Sequence, residues 1–201
     1  MGIVGNAPVG GGAPSLAAAG SILTDVTGGG TIAAITGRRV NTLHCHALTG
    51  VPNDILAIIV DEGRTALAQT LANGLSFHLT HFAVGTDGYD TATVQSVTTA
   101  TAPALLDTAL GAQVFPIIPL LEPIDMYQLP NPQAMATLCR IEPTEGVAPL
   151  GEIGVWATVL DQGTAPVPFI AGYSFMFALA HFPLQAKTIK HTYLYRLIYQ
   201  F

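Results

Sequence analysis

The sequence predicts an α+β fold with a Gly-rich extended N-terminal arm, one central helix and an antiparallel, β-sandwich-like C-terminal domain. The first 37 residues are rich in Gly, Ala, Pro, Ser and Thr, residues 54–72 carry apolar side chains at helical spacing, and from Ser76 onward β-branched and aromatic segments alternate with Gly and Pro. We therefore divide the chain into an arm and docking segment at 1–50, a helix at 51–75 and an antiparallel β domain at 76–201.

The predicted arm is almost uncharged, since its first 37 residues contain one acid, Asp25, and no Lys or Arg. Its glycine runs do not sustain regular structure alone, because glycine loses much conformational freedom on ordering. We expect the arm to be ordered by docking on neighbouring chains. It lacks the basic n-region of a secretory signal.

The predicted helix starts after an N-cap at Asn53 and closes at Gly74. Its apolar residues form one stripe at helical spacing: Leu56, Ile59, Val60, Leu67 and Leu71. Ile55 and Ile58 fall on a different face, and a helix that is apolar on two sides is buried on two sides. We expect Ile55, Ile58 and Ile59 to form contacts between copies of the chain.

The chain is unusually poor in charge, which limits the classes of function it suits. Charged residues make up 10% of the sequence, against about 25% in an ordinary soluble domain. We expect protein partners, including further copies of the chain, to cover part of the surface. A net charge of −6 without a basic cluster argues against nucleic-acid binding, and prolines interrupt the uncharged stretch 162–186, which argues against membrane insertion.

The stretch "HLTHFAVGTDGYD" at 78–90 is predicted to be a strand and its turn. Alternation places Phe77, Leu79, His81 and Ala83 on one face of the strand. Gly85 and Gly88 supply the turn. The prolines between 116 and 132 keep that segment from forming a central strand.

Two histidine pairs are the candidates for a metal site, namely His44 with His46 and His78 with His81. Residues 44 and 46 share one face of an extended strand, whereas residues 78 and 81 point to opposite faces. No acid lies close in sequence to orient an imidazole. The favoured interpretation is packed or hydrogen-bonded histidines, with no metal and no cofactor.

Catalytic patterns are weak, and the sequence favours a protein that is not an enzyme. The phosphate-loop and calcium-loop patterns do not match "GTDGYD", and the chain has no G-x-S-x-G motif. Cys45 is adjacent to His46, which normally points the two side chains apart. A glycosidase pair among Glu142, Glu145 and Glu152 is the remaining carboxylate alternative.

Glu152 is the one acid in an otherwise apolar run, "GEIGVWATV". Gly151 and Gly154 flank it, and we expect them to let the backbone turn tightly before a strand. If Glu152 is embedded in a sheet, it needs partners such as Arg140 or backbone amides; the alternative is an exposed edge acid. Trp156 is interpreted as a core residue. Cys45 and Cys139 are either two buried thiols or a disulfide.

The order of these motifs resembles the N-terminal region of phage tail-collar fibre proteins and related baseplate-attached fibre components. "FAVGTDGYD", "ALLDTAL", "ATLCRIEPTEG" and "GEIGVWATVLDQG" occur in sequence and are followed by a step from Pro183 to Lys187 into the last strand. The resemblance covers residues 75–201. Gly151 stands where the family favours Arg, Asp107 stands where it favours Asn or Glu, and the segment after Gly154 is longer than in the family.

The resemblance implies a viral structural protein of the virion, in a tail or baseplate, made in the host cytoplasm. Such a protein would be a homotrimer that connects the baseplate to a tail fibre, with a neighbouring baseplate or fibre protein as its partner. One alternative is a receptor- or carbohydrate-binding fibre module that uses Tyr89, Tyr127 or Tyr173 on a host-surface glycan. The other is a metal-dependent hydrolase that uses the clustered histidines.

Overall fold

A computed structural model describes residues 32–33, 42–47, 55–91, 98–121, 124–130 and 134–200, with the backbone alone at 32–33, 42–47 and 91. These residues form an α+β fold with one helix and largely antiparallel sheets. Most of the predicted arm lies outside the described residues. No helix among the described residues has the length and apolar character required to cross a membrane.

The described strands form three sheets. The first sheet has six strands in the order β1-β3-β11-β10-β4-β7, the second has four in the order β2-β12-β9-β8, and β5 pairs with β6. The strands of the first sheet are β1 (Ile32–Ala33), β3 (Ile55–Ile59), β4 (Ser76–Gly85), β7 (Ile118–Pro119), β10 (Pro149–Asp161) and β11 (Ser174–Ala186). The others are β2 (Thr42–Ala47), β5 (Tyr89–Thr91), β6 (Thr98–Ala100), β8 (Met126–Gln128), β9 (Ala134–Ile141) and β12 (Tyr193–Gln200).

The segment predicted as one helix contains a strand and a shorter helix. Residues 55–59 form β3, and helix α1 runs from Asp61 to Asn73. A short apolar run is compatible with a strand or a helix, and here the β-branched isoleucines pair with β11. The predicted cap at Asn53 is therefore wrong, because the helix begins after Val60 and the Asp61 amide donates to the Leu105 carbonyl at 2.8 Å. Gly74 closes the helix with φ 70°, as predicted.

The three isoleucines assigned to a contact between copies are core residues of the chain itself. Ile55, Ile58 and Ile59 are 3%, 5% and 1% exposed. Ile55 and Ile59 belong to the main core, whereas Ile58 belongs to a cluster on the opposite face of the sheet. Because they are already buried within the chain, they leave almost no apolar area for a contact with a second copy.

The main core takes side chains from both large sheets. Phe82, Ile153 and Phe177 come from the six-stranded sheet, and Ile141 and Tyr195 come from the four-stranded sheet. A second cluster covers the other face of the six-stranded sheet and contains Ile58, Val60, Met176 and Leu179, with Leu110 and Trp156 packed against it. The central strands are thus buried on both faces, and each fully buried large side chain contributes about 1.5–3 kcal/mol.

The alternation predicted for β4 breaks at Thr80. The pairing with β10 shifts by one residue between Trp156 and Ala157, so Thr80 is an extra residue in β4. Phe77 and Leu79 therefore pack into the main core together with Phe82, and His81 lies on the opposite face against Trp156. The predicted grouping of His81 with Phe77 and Leu79 is wrong.

The early strands belong to the same sheets as the late ones. β2 lies within the predicted arm and pairs with β12, and β3 lies within the predicted helical unit and pairs with β11. Cys45 is opposite Leu197, and Cys139 is opposite Tyr195, so β12 separates the two cysteines. Two strand spacings come to roughly 10 Å, which exceeds the Cα separation of a disulfide.

We expect Gly63→Ala to destabilise the protein, although alanine is a better helix former than glycine. A Cβ on Gly63 would collide with the backbone carbonyl of Phe177, on which the helix packs. The expected cost is about 1–3 kcal/mol in the free energy of unfolding, measured by urea denaturation. Thr65→Ala, at an exposed position of the same helix, is the matched control and should change stability by less than about 0.7 kcal/mol. Equal stability of the Gly63 variant and the parent would contradict this packing.

Candidate functional site

A buried acid and a buried histidine face each other on the outer side of the six-stranded sheet. Glu152 on β10 and His181 on β11 are direct partners in the strand register. They are 1% and 9% exposed, respectively. On the other neighbouring strand Glu152 is opposite Gly85, where a Cβ would collide with the Glu152 carboxylate. The glycine therefore leaves the space that the carboxylate occupies.

The Glu152 carboxylate accepts backbone hydrogen bonds from the segment that covers this face. The amide of Ala112 donates to Oε1 at 2.9 Å, and the amide of Gly111 donates to Oε2 at 3.1 Å. His181 Nε2 lies 4.0 Å from Oε2. Of the two partners predicted for an embedded Glu152, backbone amides are the ones found, because Arg140 is an exposed residue on β9 in the other large sheet. Charge-assisted bonds of this kind offset the cost of burying a carboxylate.

The His181 imidazole holds the start of the same segment. Its Nδ1 lies 3.0 Å from the Thr101 carbonyl oxygen and 3.2 Å from Thr101 Oγ1. Because a carbonyl only accepts, Nδ1 carries the proton and donates it to this oxygen. Nδ1 is then not available as a base for the Thr101 hydroxyl. Glu152 and His181 thus bind the two ends of residues 101–112 and hold this segment against the sheet. We call this pair of side chains the clamp.

A polar cavity of about 220 Å³ lies beside this clamp. Its lining includes Asp87, Asp107 and Thr101 as well as Glu152 and His181. Asp87 accepts from the Gly88 amide and Asp107 from the Ala104 amide. The polar side chains around the cavity thus bind backbone groups, which stabilises this part of the fold.

The residues predicted to form turns have two different roles. Gly88 has φ 89°, and a Cβ there would lie 2.9 Å from the His181 ring, so this turn requires glycine. Gly85 is the last residue of β4. Glu152 and Gly154 lie within β10 rather than in a turn, so the predicted turn at these two residues is wrong. An extended strand with glycine at close contacts explains the same sequence pattern.

The two predicted histidine pairs lie in different sheets. His44 and His46 are in β2 of the four-stranded sheet, where the side chains are outside the description, and His78 and His81 are in β4 of the six-stranded sheet. The His81 ring stacks on Trp156 with centroids 5.6 Å apart, and burial lowers the pKa of His81 from 6.5. In the part of the chain that the structure describes, no three His, Cys, Asp or Glu side chains are grouped as metal ligands.

The carboxylates considered for a glycosidase pair are bound locally. Glu145 Oε2 accepts from the Glu142 amide at 2.8 Å, and Glu142 Oε2 accepts from the Thr192 hydroxyl at 3.3 Å. The nearby Lys187 ammonium is 3% exposed and donates to the carbonyl oxygens of Pro143, Thr188 and His191. Burial lowers the pKa of Lys187, against the opposing effect of the two glutamates. These hydrogen bonds join the loop that follows β9 to the loop that precedes β12.

Large apolar side chains are exposed on one irregular segment. Residues 105–121 and 124–127, here called the apolar segment, contain half of the large hydrophobic residues that are exposed among those described. Leu106 is 80% exposed, Ile124 is 63% exposed and Leu121 is 57% exposed. The other exposed members of the segment are Leu105, Val114, Ile117 and Tyr127. Where exposed apolar side chains form one contiguous patch, that patch is typical of a protein-protein contact.

The tyrosines considered for glycan binding are distributed over separate elements. Tyr89 is on β5, Tyr127 is on β8, and Tyr173 precedes β11. The Tyr173 hydroxyl donates to Glu62 of helix α1. The three rings therefore do not belong to one sheet.

Comparisons with known proteins give no relative: no family model, no curated protein and no solved structure matches this chain.

We expect Glu152→Gln to destabilise the protein by about 1–3 kcal/mol. The amide side chain has one acceptor oxygen where the carboxylate has two, so one of the Gly111 and Ala112 amides loses its partner. Urea denaturation measures the loss, and amide hydrogen exchange at residues 111 and 112 locates it. In Asp107→Asn, the control, the amide oxygen still accepts the single Ala104 bond. If both variants are as stable as the parent, the clamp does not hold this segment.

Glu62→Gln is expected to lower the pKa of Tyr173. The hydrogen bond to Glu62 is the largest cause, followed by burial and the Glu62 charge, and together they raise the pKa of Tyr173 from 10.0 to about 12. Since the folded protein favours the protonated phenol, this contribution to stability is complete below pH 10 and is lost as the pH rises through about 12. Ultraviolet difference titration of Glu62→Gln against the parent measures the shift, with Tyr173→Phe identifying the transition. Identical curves for Glu62→Gln and the parent would contradict it.

Proposed function

We propose that this chain is a structural component of a phage tail or baseplate, without enzymatic activity, that assembles as a homotrimer and connects the baseplate to a tail fibre. The observation that carries the proposal is the exposed apolar segment on a chain with very few charges. The motif order described above supplies the assignment to a virion, and the apolar surface supplies the argument for assembly.

The low number of charged residues favours an assembled protein over a free monomer. The chain has 7 Lys and Arg and 13 Asp and Glu among 201 residues. A soluble monomer keeps its surface charged and free of large apolar patches. Leu106 and Ile124 are apolar and exposed to solvent. Covering them with a second copy would stabilise the assembly, because apolar area is removed from water. We place the contact between copies on the apolar segment.

The proposal includes a sandwich arrangement of the two large sheets and an extended glycine-rich arm. The shared main core, with side chains from both sheets, supports the sandwich. Strand β2 lies within the predicted arm, and its pairing with β12 anchors residues 42–47 to the four-stranded sheet. The small, uncharged residues of the arm suit close packing along another chain.

The clamp supports a structural role better than a hydrolytic one. Three of the four polar side-chain atoms of Glu152 and His181 are hydrogen-bonded to Gly111, Ala112 and Thr101. A catalytic acid and base need polar atoms that reach a substrate. A glycan-binding role gains no comparable support, because the candidate tyrosines lie on separate elements.

We expect Leu106→Asp combined with Leu121→Asp to dissociate the trimer. Each aspartate places a charge in a contact that has no partner for it, which costs more than the lost apolar area. Light scattering after size-exclusion chromatography should give the mass of three chains for the parent and of one chain for the double variant.

Leu71→Asp is the control, because Leu71 is 92% exposed but lies on helix α1, outside the apolar segment. It should keep the mass of three chains. If the double variant and the parent have the same mass, the apolar segment is not the contact.

A further inference from the structure

We infer that the edge of β4 at Ser76–Leu79, together with the apolar cavity beside it, is a docking site for an extended, uncharged segment of a partner protein that adds to the sheet as a further strand. The site consists of an open strand edge and an apolar groove next to it. This inference does not depend on the oligomeric state of the chain.

The edge of β4 is covered in its second half. β7 pairs only with His81 and Phe82, and the amides of Leu120 and Val114 donate to the Thr80 and Val84 carbonyls. Ser76, Phe77, His78 and Leu79 pair with β10 on one side. On their other side, no strand among the described residues pairs with them.

The faces on which the side chains of β4 lie show in which direction its backbone N–H and C=O groups point. In a strand, residues whose side chains share a face also send their N–H and C=O groups to the same neighbour. Val84 faces the main core, and its carbonyl points to the open side, where Val114 binds it. Phe77 and Leu79 face the same core after the bulge at Thr80, so their amides and carbonyls also point to the open side. An incoming strand would find alternating donors and acceptors there.

An apolar cavity of about 390 Å³ lies directly beside this edge. Phe77 and Leu79 of β4 line one wall, and helix α1 contributes Leu67. Met126 and Met135 line the β8 and β9 side. Methionine side chains are unbranched and adapt to partners of different shape. The remaining lining residues are His78, Tyr127, Gln128 and Phe177.

The residues that line the cavity determine which kind of partner side chain can bind there. The lining contains no Asp, Glu, Lys or Arg. A charged side chain would lose its hydration there without gaining a counter-ion, so the complementary segment is uncharged. Because alternate residues of a strand face the same way, every second side chain would enter the cavity. The recognition mode is strand addition, in which backbone bonds provide affinity and the groove provides selectivity.

The test uses the intact chain and a synthetic eight-residue peptide of alternating threonine and valine with a lysine at each end. The expected result is that the peptide slows hydrogen exchange at the Phe77 and Leu79 amides on the order of tenfold, measured by NMR. A peptide with proline in place of its central residues cannot donate the backbone bonds and should give no protection.

Gln128→Glu replaces a neutral amide that lines the cavity by a carboxylate of the same size, outside the apolar segment, and should weaken peptide binding about tenfold. Leu160→Glu is the matched control, since Leu160 is also exposed but does not line the cavity, and it should bind as the parent does.

Three results would overturn the inference: no binding of the peptide, binding without protection of the two amides, or amides already protected in the intact chain alone. In the last case a segment of the chain itself, or a second copy, already fills the edge. The oligomeric mass is measured separately, so a monomer that binds the peptide would remove the proposed function and leave this inference in place.

Discussion

The burial of the six-stranded sheet on both faces is the constraint on which the rest of the structure depends. Strands β3, β10 and β11 send alternate side chains into the main core and into the outer cluster. A sheet of this kind needs a cover on its outer face, and residues 101–112 provide it. They have little regular structure of their own, so side chains from the sheet must hold their backbone in place. Glu152 and His181 do this from two adjacent strands.

The segment that contains this cover also carries half of the large apolar side chains that are exposed among the described residues. The chain that packs over the outer face continues along the edge of β4, where prolines prevent long strand pairing. Its inward side chains, such as Leu110, Ile118 and Leu120, pack against the core clusters. Its outward side chains include Leu106, Leu121 and Ile124. The same segment is therefore a structural cover on one side and carries exposed apolar side chains on the other.

Several features of the fold follow from local sequence signals. Gly74 ends the helix because glycine adopts the left-handed conformation easily. The prolines of 116–132 disfavour long strands, and the described part of that segment contains only the short strands β7 and β8. The predicted alternation of β4 holds until Thr80, where the register with β10 shifts. Such a bulge depends on the partner strand and leaves no trace in the sequence of β4.

The remaining features depend on contacts between residues distant in sequence. Ile55–Ile59 is too short an apolar run for periodicity to separate strand from helix, and pairing with β11 decides it. Glu152 was recognisable as an acid in an apolar run, but its partners Gly111 and Ala112 are some 40 residues away and bind through their backbone. No side-chain motif marks such partners. Likewise, the sequence does not show that β7 is too short to cover the first half of β4, where no described strand pairs on that side.

The proposed assembly requires that this charge-poor chain buries apolar surface against further copies of itself. Native mass spectrometry of the intact chain over a wide range of protein concentration tests this claim most directly. We expect a species of three chains to dominate and to persist on dilution. A species of one chain at every concentration would contradict it.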